Sequence, residues 1–276
     1  MSFFTVLNQN LRSSTCFLDR KFWLNTVKKY TFLNYSKSQN TGVWYSQFIN
    51  EDLILFSRED NQRSIPHIID GFKPSQCKVL FDGFKRNLKS DVKVAQLVGY
   101  ISEHSAYHHG EASLNGTITC MAQNLCGSNN INLFTPSGQF GTRHMEGRDA
   151  ASTCYIFTCL EKITHTIFHP DENSLLTYLN NDGLSIEPEF YMPVIPMCLV
   201  NGSDGIVTGW YSSVPNYDPW AIIANICKLM QGGELDKITP HYYGWRVEID
   251  IETIKKAGSY SIRVTIERIN ETTLNI

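Results

Sequence analysis

Between Pro74 and Leu125 apolar residues recur at helical spacing in three successive runs, and this stretch limits the possible fold more than any other. Val79, Leu80 and Phe84 share one face, Val94, Leu97, Val98 and Ile101 a second, and Leu114, Ile118, Met121 and Leu125 a third. Asp70-Gly71-Phe72-Lys73-Pro74 reads as a turn feeding the first helix, because proline is tolerated in a first turn. Asp91 is the expected cap of the second helix, which runs to about Ser105, and the third is expected from about Gly110 to Leu125. The break at Tyr107-His108-His109-Gly110 makes a helix-turn-helix candidate, although many helical hairpins read the same way.

The flanks are mixed. A short helix is expected at Arg20–Tyr30, then the apolar segment Leu53–Phe56. Gly127-Ser128-Asn129-Asn130 and the Gly-rich run from Pro136 to Gly147 suit a loop or β-wing, where small residues let backbone approach a ligand. Leu160, Ile163 and Ile167 recur at helical spacing, and Pro219–Met230 is a clear helix. The tail from Trp245 to Ile276 reads as β-rich, with Tyr260, Ile262, Val264 and Ile266 alternating.

Charge is unevenly spread. The chain of 276 residues carries −3 formally, yet Gly71–Lys93 holds Lys73, Lys78, Lys85, Arg86, Lys89 and Lys93 against Asp82 and Asp91, a local +4. Such an excess suits a polyanion, since phosphate binding follows local potential, and equally suits a solvated helix face. With Val79, Leu80 and Phe84 turned inward, Lys78, Lys85 and Arg86 are expected to face solvent. None of the eight cysteines pairs as C-x-x-C, so scattered reduced thiols are expected rather than a zinc or disulfide scaffold. The longest apolar stretch, Phe190–Val200, holds Pro193 and Pro196 and is too short to span a bilayer, so no membrane partner is expected.

Several runs together are more specific. Arg63-Ser64-Ile65-Pro66, Asp70-Gly71-Phe72-Lys73-Pro74, Phe84-Lys85-Arg86-Asn87, Val92-Lys93-Val94-Ala95-Gln96-Leu97 and Tyr107-His108-His109-Gly110-Glu111 stand in order. Ala122-Gln123-Asn124, Gly127-Ser128-Asn129-Asn130, Gly138-Gln139-Phe140-Gly141-Thr142-Arg143, Tyr155-Ile156-Phe157, Glu187-Pro188-Glu189-Phe190-Tyr191, Asn201-Gly202 and Thr208-Gly209-Trp210 follow. From about Phe48 to Trp245 this series resembles the breakage–reunion core of eukaryotic-type DNA topoisomerase II. The resemblance implies a mixed α+β chain: a connecting segment at 1–57, a winged-helix (helix-turn-helix) DNA-breakage domain at 58–183 and a partial α/β tower-like domain at 184–276.

It further implies that Tyr155 is the nucleophile of transient DNA cleavage, storing the broken bond as a 5′-phosphotyrosyl ester. A phenol titrates near pH ~10, so it needs a neighbouring base or positive group. His109, and after it His108, are the candidates, although a His-His pair at a turn also reads as capping and surface polarity. Ile206 matches the position of an apolar wedge between base pairs, and Lys73, Lys78, Lys85, Arg86 and Arg143 would contact backbone phosphates. The implied partners are double-stranded DNA and either a second copy or a full-length topoisomerase II, the implied compartment is the nucleus, and the family's topology change is ATP-dependent.

Three positions depart from the family pattern. Cys154 stands where an arginine normally precedes the nucleophile, Cys77 where another arginine is expected, and Val207 replaces a glycine beside the wedge. A thiol cannot replace a guanidinium fork that is always charged. The family also uses Mg²⁺ held by a Glu and an Asp-x-Asp set, and ATP; no site for either is expected in this chain, Asp250-Ile251-Glu252 reading only as a strand edge. Inherited cleavage chemistry, a catalytically impaired DNA-binding remnant, a modulator of a full-length enzyme and a gene fragment without a role are all consistent with this pattern.

Overall fold

A computed structural model describes residues 16–26, 32–33, 42–207, 209–245, 267–268, 270 and 274–275. Helix α1 (Cys16–Asn25) is followed by a helical run over Tyr45–Phe48 that passes through a π-turn, Ile49–Leu53, into α2 (Ile54–Ser64). The Leu53–Phe56 segment is therefore the middle of a long helix, with Ile54 as its buried anchor. Residues 27–30 of the first expected helix lie outside the described residues.

Three helices make the centre: α3 (Pro74–Lys85), α4 (Val94–His104) and α5 (Glu111–Ala122). Their stripes meet as expected, with Val79, Leu80, Val94, Leu97, Val98, Ile101, Leu114 and Ile118 buried in one core. The Lys73 N–H donates to the Gln76 carboxamide oxygen at 2.9 Å, closing the first turn of α3 around Pro74. Gly110, at φ +84°, turns the chain from α4 into α5.

Two helix ends differ from expectation. Val92–Lys93 forms β1, which pairs antiparallel with β2 (Phe157–Thr158), so α4 starts at Val94 and Asp91 caps nothing. The Asp91 carboxylate instead accepts from the Ser137 hydroxyl at 2.8 Å. At the other end α5 stops at Ala122, because Gln123 turns extended (ψ 132°) and sends its side chain inward; Leu125 lies beyond the helix.

The Gly-rich run forms no wing strands of its own among the described residues. Its start meets the far edge of β2 through the bridge Ser137↔Phe157, and just before it Phe134 bridges Leu160, beyond the end of β2. Leu160 is therefore held extended, and the expected helix over Leu160–Ile167 contracts to the single turn Thr164–Ile167. Two hairpins follow, β3 (Tyr178–Asn181) with β4 (Leu184–Pro188) and β5 (Ser203–Val207) with β6 (Trp210–Val214). Helix α6 (Pro219–Met230) is capped by Asp218, whose carboxylate accepts from the Trp220 N–H at 3.2 Å. In the tail the described strands are β7 (Glu267–Arg268) and β8 (Leu274–Asn275); the Tyr260–Ile266 alternation and Asp250-Ile251-Glu252 lie outside the described residues.

Asp82, on α3, is fully buried, and neither carboxylate oxygen has a hydrogen-bond partner among the described residues. The neighbouring Ser105 hydroxyl donates instead to the Ile101 carbonyl at 2.7 Å. Burial pushes the Asp82 carboxyl up to about 7, against the pull of Lys85, the adjacent Ser105 hydroxyl and His104. An acid raised this way adds stability in its neutral form, fully below the ordinary 3.8 and lost as pH climbs through about 7. Asp82→Asn should therefore gain on the parent protein by about 4 kcal/mol between pH 4 and pH 8, the cost of burying the amide shifting both ends alike. Thermal midpoints of the two proteins across that range check this; a constant gap would contradict it.

Candidate DNA-cleavage site and nucleic-acid interface

Alternation through β2 and the turn before it sends Ile156 into the core and Tyr155 outward, with 78% of the tyrosine exposed. The turn is tied down on both sides of that residue. The first N–H groups of α4 would otherwise lack partners; Val94 donates to the Ile156 carbonyl at 3.1 Å and Ala95 to the Thr153 carbonyl at 3.2 Å. The Tyr155 N–H closes the turn on the Ser152 carbonyl at 2.8 Å. An exposed phenol thus stands on a fixed backbone at the positive end of a helix, and an exposed Cys154 thiol precedes it.

The Gly-rich loop is built around Gln123. Its carboxamide nitrogen donates to the Phe140 carbonyl at 2.8 Å and the Gly147 carbonyl at 3.0 Å, tying both ends of the loop to the end of α5. A Cβ on Gly141 (φ +106°) would come within 2.5 Å of the Gly147 Cα, so side chains there would force the loop apart. Asp149 closes it again, accepting from the Thr142 N–H at 2.7 Å and hydroxyl at 2.8 Å. Those bonds, the backbone one first, hold the Asp149 carboxyl below its ordinary range. Arg143 projects from this loop into solvent, its guanidinium 5.1 Å from the Trp245 ring centroid.

His108 and His109 are both exposed at the end of the α4–α5 break, and the His109 ring meets the Tyr107 ring edge-on at 5.6 Å. Partial burial, then the nearby Arg63, His108 and Lys78 charges, depress the His109 imidazole below its ordinary value. Among the described residues no hydrogen bond or ring contact joins either histidine to Tyr155.

The cations divide. Lys85 is exposed, above the Phe81 ring, and Arg86 stacks on Tyr100 at 5.0 Å. Lys73 lines a cleft of about 490 Å³ with Gln76, Thr117, Ser128, Asn129 and Ser203, which brings the Gly127–Asn130 motif beside the first turn of α3. Lys78 does not face solvent as expected. Its ammonium lies 2.7 Å from Glu187 on β4 and donates to the Ser105 carbonyl, so its charge is spent on an internal bridge. Ile206 sits near the tip of the β5–β6 hairpin, 77% exposed and opposite Tyr211. The other face of β5 is pressed on the end of α2, where a Cβ on Gly205 would come within 2.8 Å of the Ser64 carbonyl. Ile206 thus stands on a rigid base, and Trp210 on the pairing strand lies under the Lys21 ammonium of α1, 3.9 Å from its ring centroid.

The family model for the A subunit of DNA gyrase/topoisomerase IV matches residues 63–276. The chain belongs to this family. It is 49% identical over 258 residues to DNA topoisomerase 2 of Arabidopsis thaliana and 48% identical over 259 to that of Saccharomyces cerevisiae. Those alignments cover 93% and 94% of the chain but 17% and 18% of the relatives, so the chain spans about a sixth of their length. The crystal structure of the Plasmodium falciparum topoisomerase II DNA-binding, cleavage and re-ligation domain superposes with a TM-score of 0.83 at 44% identity, over 98% of this chain and 36% of that one.

As a topoisomerase II breakage–reunion core, the fold brings out residues whose role the sequence left blank. Gln123 and Asn130 stand inside motifs that carried the resemblance, yet only the folded loop reveals what their amides hold. Trp245 gave no signal at all, since its partner lies about a hundred residues earlier. No described helix is long and apolar enough to cross a membrane.

Proposed function

We propose that this chain binds double-stranded DNA and carries the nucleophile of reversible strand cleavage. The supporting observation is Tyr155: a hydroxyl turned to solvent on a turn pinned to the start of α4. Its oxygen attacks a backbone phosphorus and the P–O3′ bond breaks. The phenol proton leaves to a base, for which His109 is the candidate on this chain, and the departing 3′ oxygen takes up a proton. The 5′-phosphotyrosyl ester keeps the energy of the broken bond, so attack by the 3′ hydroxyl reverses each step. Lys73, Lys85, Arg86 and Arg143 hold the phosphate backbone without reading sequence, while Ile206 enters a base step and bends the duplex.

Among the described residues no three His, Cys, Asp or Glu side chains come together as a metal site needs. The described donors therefore do not fit the family's Mg²⁺, and no step here runs through a metal. ATP enters only as part of a larger assembly, with a second copy or a full-length topoisomerase II as partner and the nucleus as its place.

A second reading, a catalytically impaired DNA-binding remnant or a modulator of a complete enzyme, draws on Cys154, which puts a thiol where charge on the phosphate needs a cation. Covalent capture decides between them. The protein, an end-labelled nicked duplex and Mg²⁺ are mixed and denatured with detergent: a labelled adduct supports cleavage, and salt-sensitive retardation without adduct supports the remnant.

A further inference from the structure

Segment 240–245 runs beside the Gly127–Asn130 turn, where Asn130 straps it, and reaches the Gly-rich loop at Arg143 through Trp245. The Asn130 carboxamide donates to the Tyr217 and His241 carbonyls, each at 2.9 Å, and accepts from the Tyr243 N–H at 2.8 Å. All the polar capacity of this one side chain but a lone pair is spent on the strap. Asn216 adds a second fastening, its carbonyl accepting from the His241 N–H at 2.8 Å while its amide donates to the Ser128 carbonyl at 2.8 Å. The strap ends in a tight turn, Trp245 N–H to Tyr242 carbonyl at 2.9 Å, which presents the indole to Arg143.

Arg143 has no carboxylate partner among the described residues, and its guanidinium lies 5.1 Å from the indole centroid. A cation–π contact of this kind uses the charge of the guanidinium and none of its N–H donors. We infer that Trp245, held in place by Asn130, is a positioning residue that keeps the Arg143 guanidinium oriented for a DNA phosphate. The inference rests on the DNA-binding reading above. An arginine on an open loop would lose several rotatable bonds of freedom on meeting a phosphate; stacking on a fixed ring removes part of that loss beforehand.

The test is a double-mutant cycle on duplex binding by the whole chain at fixed salt. Trp245→Ala should weaken binding about 3-fold, as expected for losing a half-buried cation–π contact, and Asn130→Ala should do the same. Trp245→Phe, which keeps a ring, should retain most of the affinity and guards against a merely misfolded variant. In an Arg143→Ala background Trp245→Ala should cost nothing further. Equal losses with and without Arg143, or no loss in either, would overturn the inference. If the parent protein binds no DNA, the functional reading fails instead, and the inference is judged on the Arg143 Nε–H proton resonance. An indole ring-current shift lost in both Trp245→Ala and Asn130→Ala upholds it; a resonance unmoved by either overturns it.

Discussion

Cys154→Arg is expected to accelerate formation of the covalent adduct by about 10²-fold. The phosphate gains charge as the Tyr155 oxygen approaches, and a cysteine beside it offers no cation to meet that charge. An always-protonated guanidinium would supply two donors to the non-bridging oxygens, and losing one such stabiliser costs roughly 10²–10³ in rate elsewhere. The position can accept it: Cys154 is exposed, and the turn is held by backbone bonds from α4 that the side chain does not touch. Stability should change by no more than about 0.5 kcal/mol. Single-turnover adduct formation on a nicked duplex measures the gain; an unchanged rate would mean that the charge is met by another group.

Glu187→Gln should destabilise the fold by about 3 kcal/mol, the typical loss when one partner of a buried ion pair is removed. The Lys78 and Glu187 side chains are 13% and 4% exposed, so water replaces little of the missing charge. Lys78 would keep the Ser105 carbonyl but hold its ammonium among α3, the end of α4 and β4 without an anion. Replacing both, as Lys78→Met with Glu187→Gln, should recover most of the loss because no orphaned charge remains. Urea denaturation of the parent, single and double variants reads this directly. A double variant no more stable than Glu187→Gln would contradict the orphaned-charge account, and a Glu187→Gln variant as stable as the parent would show the pair to be dispensable.

That same lysine marks the limit of what the sequence could show. Its position on α3 is legible, because Val79 and Leu80 define the buried face by spacing alone. Its destination is not: a lysine flanking an apolar stripe reads as solvated until Glu187, 109 residues later, is folded against it. The start of α4 was obscured in the same way. Val92 and Lys93 look helical from their own neighbours, and only pairing with Thr158 and Phe157 makes them a strand. Leu160 keeps helical spacing with Ile163 and Ile167 but is drawn extended by Phe134. At the site the division is similar. Nothing intrinsic to a tyrosine between a cysteine and an isoleucine marks a nucleophile; only the surrounding motifs distinguish Tyr155 from the other tyrosines. The Gln123 clamp and the Asn130 strap are long-range amide-to-backbone bonds, which leave no period or spacing to read.

The most direct test of Tyr155 is to identify the atom that holds DNA. The protein is incubated with nicked duplex and Mg²⁺, trapped in detergent, digested with nuclease and protease, and the peptides are sequenced by mass spectrometry. The expected result is a nucleotide joined through phosphate to Tyr155 in the parent protein and no adduct from Tyr155→Phe, which still retards duplex DNA. An adduct that persists in Tyr155→Phe, or that maps to another residue, would contradict the assignment.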